Sequence, residues 1–225
     1  GVSGFYVQEE PADADADPST SEGIFVFSRA VPADLAVGDL TRVQGAVTEF
    51  AAGASLLTEI SAAAVVGCGP SVAITPTALV LPVASPADLE ALEGMLVNLP
   101  QSLTIAEYFN YDRFGEVVVS TDRQATPTAV VEPGPDAIAL AAAQALARIT
   151  IDDGRTASNP DPAIHPGNGG VFDLDNLFRG GDTITGITGV IDDTFGLYRV
   201  QPTVYGTHEP VNARTAVPDD VGGSL

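Results

Sequence analysis

The sequence predicts an all-β protein built from two copies of one small β fold. Three observations lead there. The apolar residues fall in short runs rich in Val, Ile and Phe, punctuated by Gly, Pro and Asp. Helical patterning is confined to two segments, and the order of strand signals in the first part of the chain returns in the second.

The first set of predicted strands covers 4–8 (GFYVQ), 23–28 (GIFVFS), 39–50 (DLTRVQGAVTEF) and 54–60 (ASLLTEI), with Gly53 as the hairpin turn between the last two. The second covers 94–99 (GMLVNL), 102–109 (SLTIAEYF), 116–120 (EVVVS), 148–151 (RITI), 182–191 (DTITGITGVI) and 196–201 (GLYRVQ). Short strands at this spacing suit small barrels or a sandwich. A short helix is expected over 85–92, where Ser85 precedes Pro86 and Asp88 near the positive end of the helix dipole. The second, 136–147 (DAIALAAAQALA), is apolar on most sides and should lie against a barrel. Residues 154–178, rich in Pro, Gly, Asn and Asp, form a long loop.

Val37-Gly38-Asp39 leading to Gly45 matches Gly180-Gly181-Asp182 leading to Gly189, each inner glycine reading as a bulge in a long strand. GFYVQ and GIFVFS are matched to LTIAEYF and EVVVS. On that match the first copy lacks the opening strand that 95–99 gives the second. An open edge exposes unpaired backbone groups and invites strand addition, with residues 1–3 or the extended tail 203–217 as candidate donors.

The 225 residues carry 30 acidic and 9 basic side chains, all nine arginine, for a net charge of −21. Such a surface repels a phosphate backbone, so nucleic-acid binding must rest on a local patch or an ion. No apolar run is long enough to span a membrane, and 1–4 have no basic or apolar leader, so any secretion signal is expected to lie outside these residues. With one cysteine, Cys68, no internal disulfide is possible; its apolar surroundings suggest a buried thiol.

The segments SEGIFVF, VGDLTRVQGAVTEF, EGMLVNLPQSLTIAEYFNYDRFGEVVVST, ARITIDDGR, LFRGGDTITGITGVIDDTFGLYRVQPT and PDDVGGSL, in this order, resemble the region before the catalytic domain of ExeM/NucH-type secreted endonucleases. The resemblance implies two OB-fold-like barrels of the YhcR type: 1–84, short of its opening strand, and 85–204, followed by an extended tail over 205–225. It implies an extracellular, non-catalytic module that binds or positions nucleic acid, with extracellular DNA as partner. The endonuclease/exonuclease/phosphatase domain is not within this sequence, so no hydrolysis is expected of it. The alternative is a structural one: a filament or homopolymer subunit assembled by β-strand complementation.

Three groups of residues carry candidate chemistry. Tyr111, Arg113 and Phe114, at the expected hairpin tip NYDRFG, combine stacking rings with a cation, as OB folds do on single strands; the plainer reading has the rings covering a barrel end while Arg113 pairs with Asp112. Arg123, Arg179 and Arg199 join a patch only if the fold gathers them. Asp13, Asp15 and Asp17, with Glu22, mimic the start of a calcium loop, but Pro18 and Ile24 stand where a glycine and a bidentate acid are required, which favours a solvated hairpin loop over a weak calcium site. His165 and His208 lie far apart in sequence, neither with a second histidine at ligand spacing.

Overall fold

In the computed structural model, residues 3–212 apart from 16, 71 and 72 are described, together with 215–218, 220, 222 and 223. The first sheet is four-stranded and open. It contains β1 (Gly4–Gln8), β2 (Gly23–Phe27), β3 (Asp39–Ala52) and β4 (Ser55–Pro70) in the order β1-β2-β4-β3. β1 is antiparallel to β2, β2 is parallel to β4, and β4 is antiparallel to β3. Gly53, at φ +70°, makes the turn between β3 and β4, a conformation that favours glycine.

The second sheet closes into a barrel. Its strands are β5 (Thr77–Ala78), β6 (Leu96–Glu107), β7 (Val117–Ser120), β8 (Arg148–Ile151), β9 (Thr183–Thr194), β10 (Leu197–Val204) and β11 (Thr207–Glu209). Five of them form the ring β6-β7-β8-β10-β9, which β9 closes by pairing back onto β6. Within the ring β8 and β10 are parallel and the other pairs antiparallel. β5 and β11 are short additions at the edges of β6 and β9. Three short α-helices, α1 (Ala87–Glu90), α2 (Tyr111–Phe114) and α3 (Pro135–Leu146), and one 3-10 turn, Pro127–Ala129, complete the described elements.

The barrel interior is what the alternation in its strands dictates. Val97, Leu99, Leu103 and Ile105 of β6 meet Val117, Val119, Ile149, Ile151, Ile184, Ile187, Ile191 and Val200, all at 3% exposure or less. β9 and β10 turn through Phe195 and Gly196, both at positive φ, the backbone of a tight hairpin whose twist matches its strands.

Several expectations change. A single barrel closes, and the first strand set stays an open sheet. The repeat is real but shifted by one strand from the sequence match: the parallel β2–β4 pair corresponds to β8–β10, so GFYVQ is the counterpart of β7 and GIFVF of β8. The glycines confirm that register. A Cβ on Gly45 would stand 2.4 Å from the Ser61 carbonyl oxygen, and one on Gly189 would stand 2.3 Å from the Gln201 carbonyl oxygen.

The second sheet also reaches beyond the expected limits of 85 and 204, taking in β5 upstream and β11 downstream. Of the candidate donor tail, Thr203 and Val204 belong to β10 and Thr207–Glu209 form β11, so these residues are engaged in their own barrel; residues 1, 2, 213 and 214 lie outside the described residues. Cys68 is exposed, because the far end of β4 pairs with β3 alone. The first helix starts without a Ser85 cap; instead Asp88 Oδ2 accepts the N–H groups of Ala84 and Ser85.

Candidate nucleic-acid interface

A cleft of about 440 Å³ opens at one side of the barrel, where the end of β6, the segment after β7 and the segment before β9 converge. Its floor is Ile105, Tyr111, Phe172 and Phe178; Tyr108, Arg123, Gln124, Arg179 and Asn212 stand around it. The floor is rigid for a physical reason: Phe178 meets Tyr111 edge-on at 4.9 Å, and Phe172 lies 5.2 Å from Tyr111 and 5.3 Å from Phe178. The Tyr111 hydroxyl donates to the Ile164 carbonyl at 2.8 Å, which also anchors the long loop. Tyr108 is half exposed and crosses Phe178 at 6.0 Å, leaving much of its ring open.

Arg123 and Arg179 both line the cleft, and one of them is tethered. Arg179 donates to the Asn212 carbonyl at 2.8 Å, and among the described residues neither Arg123 nor Arg179 has a carboxylate partner within salt-bridge distance. Asp182, which follows the cleft residue Gly181, is occupied: it accepts from the N–H groups of Arg179 and Asn212 and contacts His208 Nε2 at 3.1 Å. Asn212 in turn bonds the Gly180 carbonyl, so the tail residue is fixed to the cleft wall. Gly181, at φ +93°, lets the chain turn into β9 here.

Among the described residues no Asp or Glu lines the cleft. A second groove, of about 330 Å³ between α1, the end of α3 and the β7–β8–β10 face, contrasts with it: Glu107 and Glu116 are in its wall with Arg148. Charge alone therefore favours the first cleft for an anion.

The candidate residues from the sequence are separated by the fold. The expected hairpin tip is the helix α2, closed by Gly115 in the left-handed region at φ +76°. Tyr111 turns inward to become the cleft floor, while Arg113 lies over the Phe114 ring at 5.1 Å and is not part of the cleft. Asp13, Asp15, Asp17 and Glu22 sit in the β1–β2 loop and bond within it: Asp15 accepts the Asp17 N–H, Asp17 accepts from Ser19, Glu22 accepts the Asp15 N–H, and the Asp13 N–H donates to the Glu10 carbonyl. Among the described residues no three His, Cys, Asp or Glu side chains are grouped so as to hold a metal ion.

Arg123 and Arg179 come together; Arg199 does not join them. Its Nε donates to Glu116 at 2.8 Å, with Asp152 at 3.7 Å, in a buried network. Burial pushes the Asp152 carboxyl up to about 6, against the pull of the Gly154 N–H. The two histidines also meet, with ring centroids 4.8 Å apart. His165 is fully buried, accepts the Gly167 N–H at 3.1 Å on Nδ1, and is kept below the usual imidazole range by burial and by His208.

What the fold defines is a small closed β-barrel with an open sheet of the same strand order packed against it. The family model of DUF8508, a domain of unknown function, matches residues 87–210, more than half of the chain, and the chain belongs to that family. The matched segment contains the whole of the closed ring and all of the cleft except Asn212. No curated protein and no solved structure matches the chain.

Proposed function

We propose that the chain is a non-catalytic, OB-like module of an extracellular protein of the ExeM/NucH endonuclease type, and that it binds or positions single-stranded nucleic acid in the cleft floored by Tyr111 and Phe178. The ring order supports the OB reading: five strands in a Greek-key barrel with one parallel pair, β8 with β10. The observation that carries the function is the pairing of two arginines, without a carboxylate partner among the described residues, with an open tyrosine ring, in a chain of net charge −21. A base stacks on Tyr108 while a guanidinium meets its phosphate, the combination that single-strand binders use without reading sequence. About 440 Å³ is room for a nucleotide-sized group rather than a duplex.

The test is fluorescence anisotropy with labelled single-stranded DNA. Affinity is expected to fall as salt rises from about 20 to about 200 mM, and Arg123→Ala or Arg179→Ala should each lower the salt slope by about one. Tyr108→Ala should weaken binding by about 1–3 kcal/mol with the slope unchanged. Absence of binding at low salt, with or without calcium, would reject the reading.

A further inference from the structure

The open sheet is the barrel with one strand left out, and the equivalence can be followed residue by residue. In the barrel, Val117 pairs with Ile151, Val119 with Ile149, Ile151 with Val200, and Val200 with Ile191. In the sheet, Phe5 pairs with Val26, Val7 with Ile24, Val26 with Ile60, and Ile60 with Val47. The barrel set is at most 3% exposed, while in the sheet only Val26, at the centre, is fully buried; Val47 is 66% exposed and Phe5, Val7, Ile24 and Ile60 are half-buried. The difference is β6, which runs antiparallel to both β7 and β9 and covers their inner face with Val97, Leu99, Leu103 and Ile105.

The sheet's two outer strands, β1 and β3, are the counterparts of β7 and β9, and among the described residues they have no strand between them. Nor does the barrel occupy this face. By strand alternation Tyr6, Phe25 and Glu59 point the other way, and it is Tyr6 that reaches the barrel, donating to Asp192 at 2.5 Å.

We infer that the gap between β1 and β3 seats one further strand, antiparallel to both, supplied in cis from the N-terminal side of β1. The barrel names the source: its closing strand, β6, immediately precedes β7 in the chain, with only α2 and its flanking turns between them. The rest of this chain offers no better donor, since the tail is spent on β10 and β11 up to Glu209, and beyond it Pro210 and Pro218 break a ladder. The strand that fits alternates apolar residues, in two stretches separated by a break as at Pro100-Gln101 in β6, with its first part on β3 and its last on β1.

The full chain with a copy of the β6 sequence, LVNLPQSLTIAE, joined ahead of Gly1 tests this against the chain alone and against a scrambled fusion. The expected result is a monomer whose β1 and β3 amides exchange at least about tenfold more slowly, with a melting temperature higher by roughly 5 °C, and neither change in the scrambled fusion. Two results would overturn it. One is unchanged amide exchange at β1 and β3 in the fused chain. The other is an assembly of the unfused chain in which those amides are already protected, since the occupant would then be a second copy and the assembly a strand-complemented polymer. Neither result bears on DNA affinity, so this inference and the proposed function can fail separately.

Discussion

Glu93 sits where the sheet meets the barrel, and its surroundings favour a neutral acid. Burial, followed by repulsion from Glu90, Asp193 and Asp192, lifts its carboxyl from 4.5 to about 7. Between those values the folded chain holds a proton that the unfolded chain has released, so ionisation of Glu93 lowers stability as pH rises through the window and the whole loss is present above about 7. Glu93→Gln should therefore give a melting temperature that changes less between about pH 5 and pH 8 than that of the parent chain, the gain being largest at the alkaline end. Nothing in the sequence marks Glu93 among 30 acids; its neighbours come from α1, β3 and β9. The cleft was hidden for the same reason. Arg123 and Arg179 are far apart in the chain and share one cleft only because the 152–182 loop folds back beside β6. Tyr111 was legible as an aromatic of interest, but its direction depends on Phe172 and Phe178, which lie in that loop.

At the scale of elements, β6 of the closed barrel and β3 of the open sheet have opposite fates. Leu99 lies in a finished core, and Leu99→Ala should cost about 2–5 kcal/mol in denaturant unfolding. Val47, on the equivalent face of the open sheet, is 66% exposed, and Val47→Ala should change stability by less than about 0.5 kcal/mol. A fused closing strand should raise the cost at Val47, because it would bury that side chain. Most strands could be read from alternation and turn residues, and α3 from its alanine run with Pro135 at its start. What alternation cannot reveal is whether neighbouring strands run parallel. That is why GFYVQ was matched to the wrong strand of the repeat, although the matching of Gly45 to Gly189 was sound: a glycine against a crossing carbonyl is a local requirement, while strand partnership is a long-range one.

For the whole molecule, charge sets two opposing responses to salt. Self-repulsion at −21 weakens the folded state at low ionic strength, so the melting temperature should rise as sodium chloride goes from about 20 to about 500 mM. DNA affinity should fall over the same range if Arg123 and Arg179 displace counterions. Differential scanning calorimetry and anisotropy on one sample would reveal both slopes; a melting temperature that is flat or falling would mean the acidic groups are already compensated. The charge imbalance was plain in the sequence, as was the absence of lysine, but which arginines escape neutralisation depends on the tertiary structure.

The sheet and barrel touch at Gly23 and Gly94 so closely that a Cβ on Gly23 would stand 2.3 Å from the Gly94 carbonyl carbon. Gln8 bonds the Leu96 N–H and Ser21 the Glu93 carbonyl on either side of that contact. In mechanical terms this is a weld rather than a joint. A pull on the chain at β1 passes through backbone-to-backbone contact into the start of β6 with no compliant linker between, so the direction in which the cleft faces follows the direction in which the sheet is held.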